Sequence, residues 1–323
     1  MTEPVLSLSD VAVHFSPRTG WTRSSETTIK AVDGVDLDIA AGETLGLVGE
    51  SGCGKSTLSN AIVGLLSPTR GSIRIKGREI AGADRRTIDL ARRDVQMIFQ
   101  DPALSLDPRM KIGASVGEPL VARSLARGAA LKQRVIELLA RVGLKPEYAD
   151  RYPHEMSGGQ RQRVVIARAL ALEPALVVCD EPVSALDVSV RAQILNLLID
   201  LQRRKGVAYL FVSHDLAVVR HICDRVAVMY LGRIVEKASR DVLFENPRHP
   251  YTRALMSAVL TADPAARHAS QRTILTGEIP TAANMPTGCA FHTRCPIATP
   301  TCAAERPALS SRPDGALIAC HYV

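Results

Sequence analysis

Aromatic side chains are scarce in this 323-residue chain, with one Trp, six Tyr and five Phe making up 4% of it. So few ring faces leave little material for the stacking platforms that grip single-stranded nucleic acid. Long hydrophobic runs are missing as well. The longest uncharged stretch, Ile279 to Thr293, holds Pro280 and Pro286 and is too polar to cross a bilayer. Met1-Thr2-Glu3-Pro4 has neither the basic start nor the apolar core of a secretory signal, so the expectation is a cytosolic chain without a membrane span of its own. Basic residues outnumber acidic ones by 40 to 33, a net +7, yet they never form a block of five or six. That spread describes a solvated surface rather than a nucleic-acid track. No internal repeat is evident, which sets solenoids and arrays aside.

What is present is an ordinary globular composition, 46% hydrophobic and 23% charged, with room for one large α/β domain and a smaller appendage. The stretch that carries chemistry is Gly49-Glu50-Ser51-Gly52-Cys53-Gly54-Lys55-Ser56-Thr57, which fits the phosphate-binding loop pattern G-x-x-x-x-G-K-[ST]. Its glycines let the backbone turn tightly and aim successive N–H groups at an anion. Lys55 is then in reach of terminal phosphates, and the Ser56 hydroxyl of a Mg²⁺ shell. Thr44 to Val48 reads as a buried strand before the loop, and Leu58 to Leu66 as a helix after it.

A second element is the apolar run Ala175 to Cys179 ending in Asp180-Glu181. Carboxylates at the tip of a buried parallel strand line sites: Asp180 suits the metal, and Glu181 suits polarising an attacking water. A plain turn at Asp-Glu-Pro is the competing reading. Between the two motifs lies Met156-Ser157-Gly158-Gly159-Gln160, opening a helix over Arg163 to Leu170. Ser157 caps such a helix and the paired glycines bare its first N–H groups, making a second anion-binding end.

At this point the chain resembles the ABC ATPase family, whose signature Leu-Ser-Gly-Gly-Gln stands here with Met156 in first place. One apolar side chain replaces another, so little changes. The resemblance implies an α/β fold: a mainly parallel sheet with helices, antiparallel N-terminal strands and a helical subdomain. It also implies roles. Gln100 corresponds to the glutamine that senses metal and γ-phosphate, Ser184-Ala185-Leu186-Asp187 to the loop that communicates across a dimer, and His214 to the switch histidine. Phe15 falls near the family's adenine-stacking aromatic, with Trp21 a competitor. The nucleotide set is therefore Gly49 to Thr57, Phe15, and Ser157, Gly158, Gly159 and Gln160, with Glu181, His214 and Gln100 catalytic and Ser56, Gln100 and Asp180 on Mg²⁺. In this family the loop of one ATPase domain and the signature of another sandwich ATP, so a chain with one of each needs a second subunit.

Along the chain, residues 1–247 read as the ATPase domain, with a helical subdomain at about 101–165, and 248–323 as a C-terminal extension. Helical spacing of Leu131, Val135, Leu138, Leu139 and Val142 marks the subdomain. Alternating strands (Leu176–Cys179, Val207–Ser213) and helices (Val190–Arg203, Leu216–Ile222) follow, and Val226 to Glu236 reads as a hairpin turning near Leu231-Gly232. The extension, together with Gln100 to Met110, resembles the ATPase subunits of bacterial oligopeptide and dipeptide ABC importers, the second, F-type, subunit above all. Its most family-specific pieces are Glu278-Ile279-Pro280, Phe291-His292-Thr293-Arg294-Cys295-Pro296 and Ala319-Cys320-His321. The resemblance implies a paralogous ATPase partner, two membrane permeases, an extracytoplasmic peptide-binding protein, and a peripheral place at the cytoplasmic face of the inner membrane. Related importers move nickel or glutathione, and soluble ABC ATPases act outside transport, though usually with two cassettes or a long coiled-coil insert.

Cys289, Cys295, Cys302 and Cys320 crowd the C-terminus, separated by 5, 6 and 17 residues. A cytosolic setting argues against disulfides. Four thiolates suit Zn²⁺ or an iron–sulfur cluster, and reduced thiols without metal are the third possibility. The family resemblance implies a [4Fe–4S] cluster, stapling a tail too short to build a core.

Overall fold

The computed structural model describes residues 3–16, 28–258, 275, 277 and 280–323; Trp21, Glu278 and Ile279 lie outside them. In chain order the strands are β1 (Leu6–Phe15), β2 (Ile29–Ile39), β3 (Thr44–Val48), β4 (Arg70–Ile75), β5 (Arg78–Glu79), β6 (Val95–Ile98), β7 (Leu176–Asp180), β8 (Ala208–Val212), β9 (Arg225–Tyr230), β10 (Arg233–Ser239), β11 (Ser310–Ser311) and β12 (Leu317–Ile318). The main helices are α1 (Lys55–Ile62), α2 (Arg85–Asp94), α3 (Pro102–Ser105), α4 (Ile112–Ala122), α5 (Gly128–Arg141), α6 (Gly158–Ala169), α7 (Val188–Lys205), α8 (Leu216–Ile222), α9 (Arg240–Glu245) and α10 (Pro250–Ser257).

These form two compact units. One comprises Ser7–Asp38, Thr44–Arg74 and Phe211–Val323, the other Met1–Leu6, Ile39–Glu43 and Ile75–Leu210. Each unit is thus assembled from several stretches of the chain.

In the first unit, every residue of β3 is buried, as the run Thr-Leu-Gly-Leu-Val requires of a strand covered on both faces. It pairs in parallel with β9, Leu45 opposite Arg225 and Val48 opposite Val228, and β9 turns back antiparallel into β10. That turn is made by Leu231 and Gly232, both with positive φ (42° and 77°), which suits the right-handed twist of a hairpin. β12 adds to the far edge of β10, and β11 to β12. Strands β2, β1 and β4 lie side by side in a separate sheet.

In the second unit, β6 and β7 run parallel, Val95 opposite Leu176 through Ile98 opposite Cys179. Helices α4, α5 and α6 pack against one another there. Val135, Leu138 and Leu139 of α5 are buried, as their spacing predicts. Cys179 and, in the first unit, Cys223 are fully buried, and burial pushes the Cys179 thiol far above its ordinary range, as befits an inert core residue. Among the described residues no helix is long and apolar enough to cross a membrane.

Candidate nucleotide site

Each unit carries one half of the motif set. In the first, the chain leaves β3 and turns through Gly49 to Gly54 into α1. Gly54 caps α1 with φ at 109° and no side chain, and a Cβ there would stand 2.1 Å from the Ala31 carbonyl oxygen. No other residue fits that place, and the helix opens with backbone N–H groups instead of a side-chain cap. Lys55 is buried and its Nζ donates to the Gly49 and Glu50 carbonyl oxygens at 2.8 and 2.9 Å. The ammonium thus lies across the mouth of the loop. Cys53 Sγ is 3.6 Å from it, and burial raises that thiol's pKa despite the nearby charge. Ser56 is exposed and Thr57 half-buried at the helix start.

His214 sits exposed just beyond β8, ahead of α8, whose N-terminus Asp215 caps by accepting from the Ala217 and Val218 amides. Phe15 ends β1 and is 41% exposed, free to meet a ring.

The second unit holds the carboxylates and the signature. Asp180 closes β7, and Glu181 follows with φ at 49°, a left-handed conformation that costs a non-glycine residue about 1–3 kcal/mol. Gln100 Nε2 donates to Glu181 Oε2 at 3.1 Å, so two residues 81 apart in sequence meet. Ser184 donates its hydroxyl to the Glu181 carbonyl at 3.1 Å, tying the following turn to the same point.

Ser157 caps α6 by a reciprocal box: its Oγ accepts from the Gln160 amide, and the Gln160 side chain accepts from the Ser157 amide at 3.0 Å. Gln160 also donates to the Tyr148 hydroxyl. Gly159 is needed for packing, since a Cβ would stand 2.4 Å from Val190 Cγ1. Met156 is buried, so its exchange for the signature's usual Leu changes a core contact only.

The oxygen-only donors expected for Mg²⁺, a hydroxyl, a carboxylate and an amide, match that hard cation. The cysteines are less decisive. Cys289, Cys295, Cys302 and Cys320 line one small cavity with His292 and His321. Among the described residues, however, no group of three or more His, Cys, Asp or Glu is gathered closely enough to hold a metal ion. Burial raises the Cys289 and Cys295 thiols, which works against the thiolates a metal needs. As arranged, the four thiols share a space without converging on a point.

Two residues outside the motif set bind the phosphate loop, and a third packs behind them. The Tyr251 hydroxyl accepts from the Glu50 amide at 2.8 Å. Arg294, 6% exposed, donates two hydrogen bonds to the Glu50 carboxylate, at 2.8 and 3.2 Å. That pairing raises the guanidinium's pKa well above its ordinary range. Phe291 packs against Tyr230 and Tyr251 with ring centroids 5.2 and 5.4 Å away. The segments His249 to Met256 and Phe291 to Pro296 stand out in the sequence, but nothing in them announces a partner at Glu50.

Residues 32–184 match the ABC transporter family profile, and residues 235–302 that of the oligopeptide/dipeptide transporter C-terminal region. A probable peptide ABC transporter ATP-binding protein of Sinorhizobium fredii is 50% identical over 321 residues, 99% of this chain and 90% of its own. The oligopeptide transport ATP-binding protein OppF of Escherichia coli is 52% identical over 308 residues, covering 94% and 92%. The dipeptide transport ATP-binding protein DppF of Haemophilus influenzae is 50% identical over 295 residues, covering 91% and 90%. Among solved structures, the cbiO1 part of a Clostridium perfringens ABC transporter complex superposes with TM-score 0.65 at 28% identity, over 76% of this chain and 92% of that one. A dimeric ATP-binding cassette in a post-hydrolysis state with ADP and Pi gives TM-score 0.63 at 31% identity, over 73% and 98%.

Proposed function

This chain belongs to the ABC transporter ATP-binding subunits of the oligopeptide and dipeptide class, and on that premise we propose that it hydrolyses ATP to energise the import of short peptides. One observation carries the reading: an ABC ATPase region and the C-terminal region of peptide transporters occur in the same chain. The likeness to a dimeric cassette supports a two-subunit site, and we assign the second subunit to a paralogous ATPase.

In this reading the amides of Gly49 to Thr57 hold the phosphates, with Lys55 exchanging its two carbonyl partners for phosphate oxygens. Phe15 stacks on adenine. Ser56, Gln100 and Asp180 hold Mg²⁺, which when bound neutralises phosphate charge. Glu181 takes a proton from the attacking water while Gln100 fixes its carboxylate, and His214 contacts the γ-phosphate. Ser157 to Gln160 face the nucleotide of the partner subunit. Residues 1–247 serve as the ATPase domain and 248–323 as the extension.

The remaining partners are two membrane permeases and an extracytoplasmic peptide-binding protein, with this chain on the cytoplasmic face of the membrane. We assign the cysteine cavity to a [4Fe–4S] cluster rather than zinc; the shared space supports it, although the thiols must close in to ligate. Iron and acid-labile sulfide in equal amounts in anaerobically purified protein is the result that assignment requires.

The test of the function is a mild-detergent pull-down of the tagged chain from its native membranes. Two permeases and a second ATPase are expected. Recovery alone, or with ribosomes, would leave an ATPase without a transporter. In the purified complex, Glu181→Gln should keep nucleotide binding and lose at least a hundredfold in turnover; normal turnover would remove Glu181 from its role.

A further inference from the structure

The first unit contains a side chain that touches neither nucleotide motif by sequence and yet grips the phosphate loop. Arg294 lies on a single 3₁₀ turn, His292–Arg294, between Cys289 and Cys295. The turn's frame is backbone: the Cys289 amide donates to the Cys302 carbonyl, His292 to Cys289, and Cys295 to His292. From that frame the guanidinium reaches 244 residues back in sequence and takes both oxygens of Glu50. Glu50 is the first residue after Gly49, and its own carbonyl accepts from Lys55. Its amide is held by Tyr251, whose helix is capped in turn by buried His249. So Glu50 is fixed at three places, and two of the fixing groups belong to the C-terminal segment.

Building on the function proposed above, we propose that Arg294 is a positioning residue for ATP binding, setting the phosphate loop's conformation through the Glu50 carboxylate. A paired, forked guanidinium restrains direction as well as distance, which a single lysine bond does not. Removing either partner leaves the other charge, the buried Arg294 or the half-buried Glu50, unmatched and frees the loop. The C-terminal segment thereby takes part in nucleotide binding without touching nucleotide, and disturbance of the cysteine-bearing turn is transmitted to the loop through one side chain.

The test uses the full-length chain. Hydrogen exchange of the Gly49 to Ser56 amides reads the loop itself, and titration with a fluorescent ATP analogue and Mg²⁺ reads its use. For Arg294→Ala, exchange in the loop is expected to rise and affinity to fall, each about tenfold, and Glu50→Gln should do the same. The double variant should be no worse than either single one, and Arg294→Lys should recover part of the loss. Loop exchange unchanged in both single variants would overturn the proposal, as would losses that multiply in the double variant. If Arg294→Ala fails to fold, Glu50→Gln alone decides by the same two readings. Wild-type protein that binds no nucleotide would strike at the proposed function, while the exchange measurement would still decide the role of Arg294.

Discussion

His249 shows how one buried ring links pH to the integrity of the loop's support. Burial lowers its pKa from 6.5 to about 4, and its Nδ1 must stay unprotonated to accept from the Tyr251 amide. The unfolded chain takes up a proton as pH falls through 6.5, and the native fold refuses it until about 4. Stability from this residue is therefore complete above the first value and drains away towards the second, by about 3 kcal/mol at most. Urea unfolding across that window is expected to show the decline, and His249→Asn, which still caps a helix but does not titrate, should flatten it. An equal slope in the variant would place the titrating group elsewhere. Glu236 bears on the same prediction, because its buried carboxylate accepts from the His249 and Arg248 amides.

At the level of elements, α6 separates a capping role from a binding role in one residue. Ser157→Asp keeps a cap oxygen for the Gln160 amide, so the thermal midpoint should hold within the effect of about 1 kcal/mol. The same change sets a carboxylate where the proposed reading places a phosphate, so hydrolysis in the assembled complex should fall at least tenfold. If stability and activity fall together, Ser157 acts through the helix alone. Elements of this kind were partly legible beforehand. Apolar runs bounded by Gly or a capping Asp mark β3 and α8 at their observed limits, Thr44–Val48 and Leu216–Ile222. Apolar periodicity places the helix after the loop at Leu58 to Leu66 and the signature helix at Arg163 to Leu170. They begin at Lys55 and Gly158, because glycine and polar residues at an anion-binding end carry no hydrophobic rhythm. Family resemblance puts Gln100 and Glu181 in the nucleotide set, but their hydrogen bond to each other appears only in the structure. The grip of Arg294 on Glu50 was illegible, since charge pairing across 244 residues leaves no periodic trace.

For the whole molecule, membership in the peptide-transporter family and the permease partners proposed above lead to one expectation. Membrane association should depend on the permeases: in cells lacking them, fractionation should find the chain in the soluble fraction. Retention on the membrane would point to a direct lipid contact of the basic surface, whose net charge is +7. The last residues matter at this scale for another reason. Five consecutive positions of β10, Ile234 to Ala238, are buried, and beyond them, among the described residues, the ladder is closed by Leu317 and Ile318 of β12 and the Ala319 amide on the Val235 carbonyl. A chain cut before Ser310 would bare the backbone donors and acceptors along Ile234 to Ala238 and uncover the apolar Ile234, Val235 and Ala238 beside the charged Glu236 and Lys237, an open edge on which the next copy could pair. Two dipeptide strands thus act as a stopper, and the shelf life of the protein in solution rests on Ser310 to Ala319 as well as on its core.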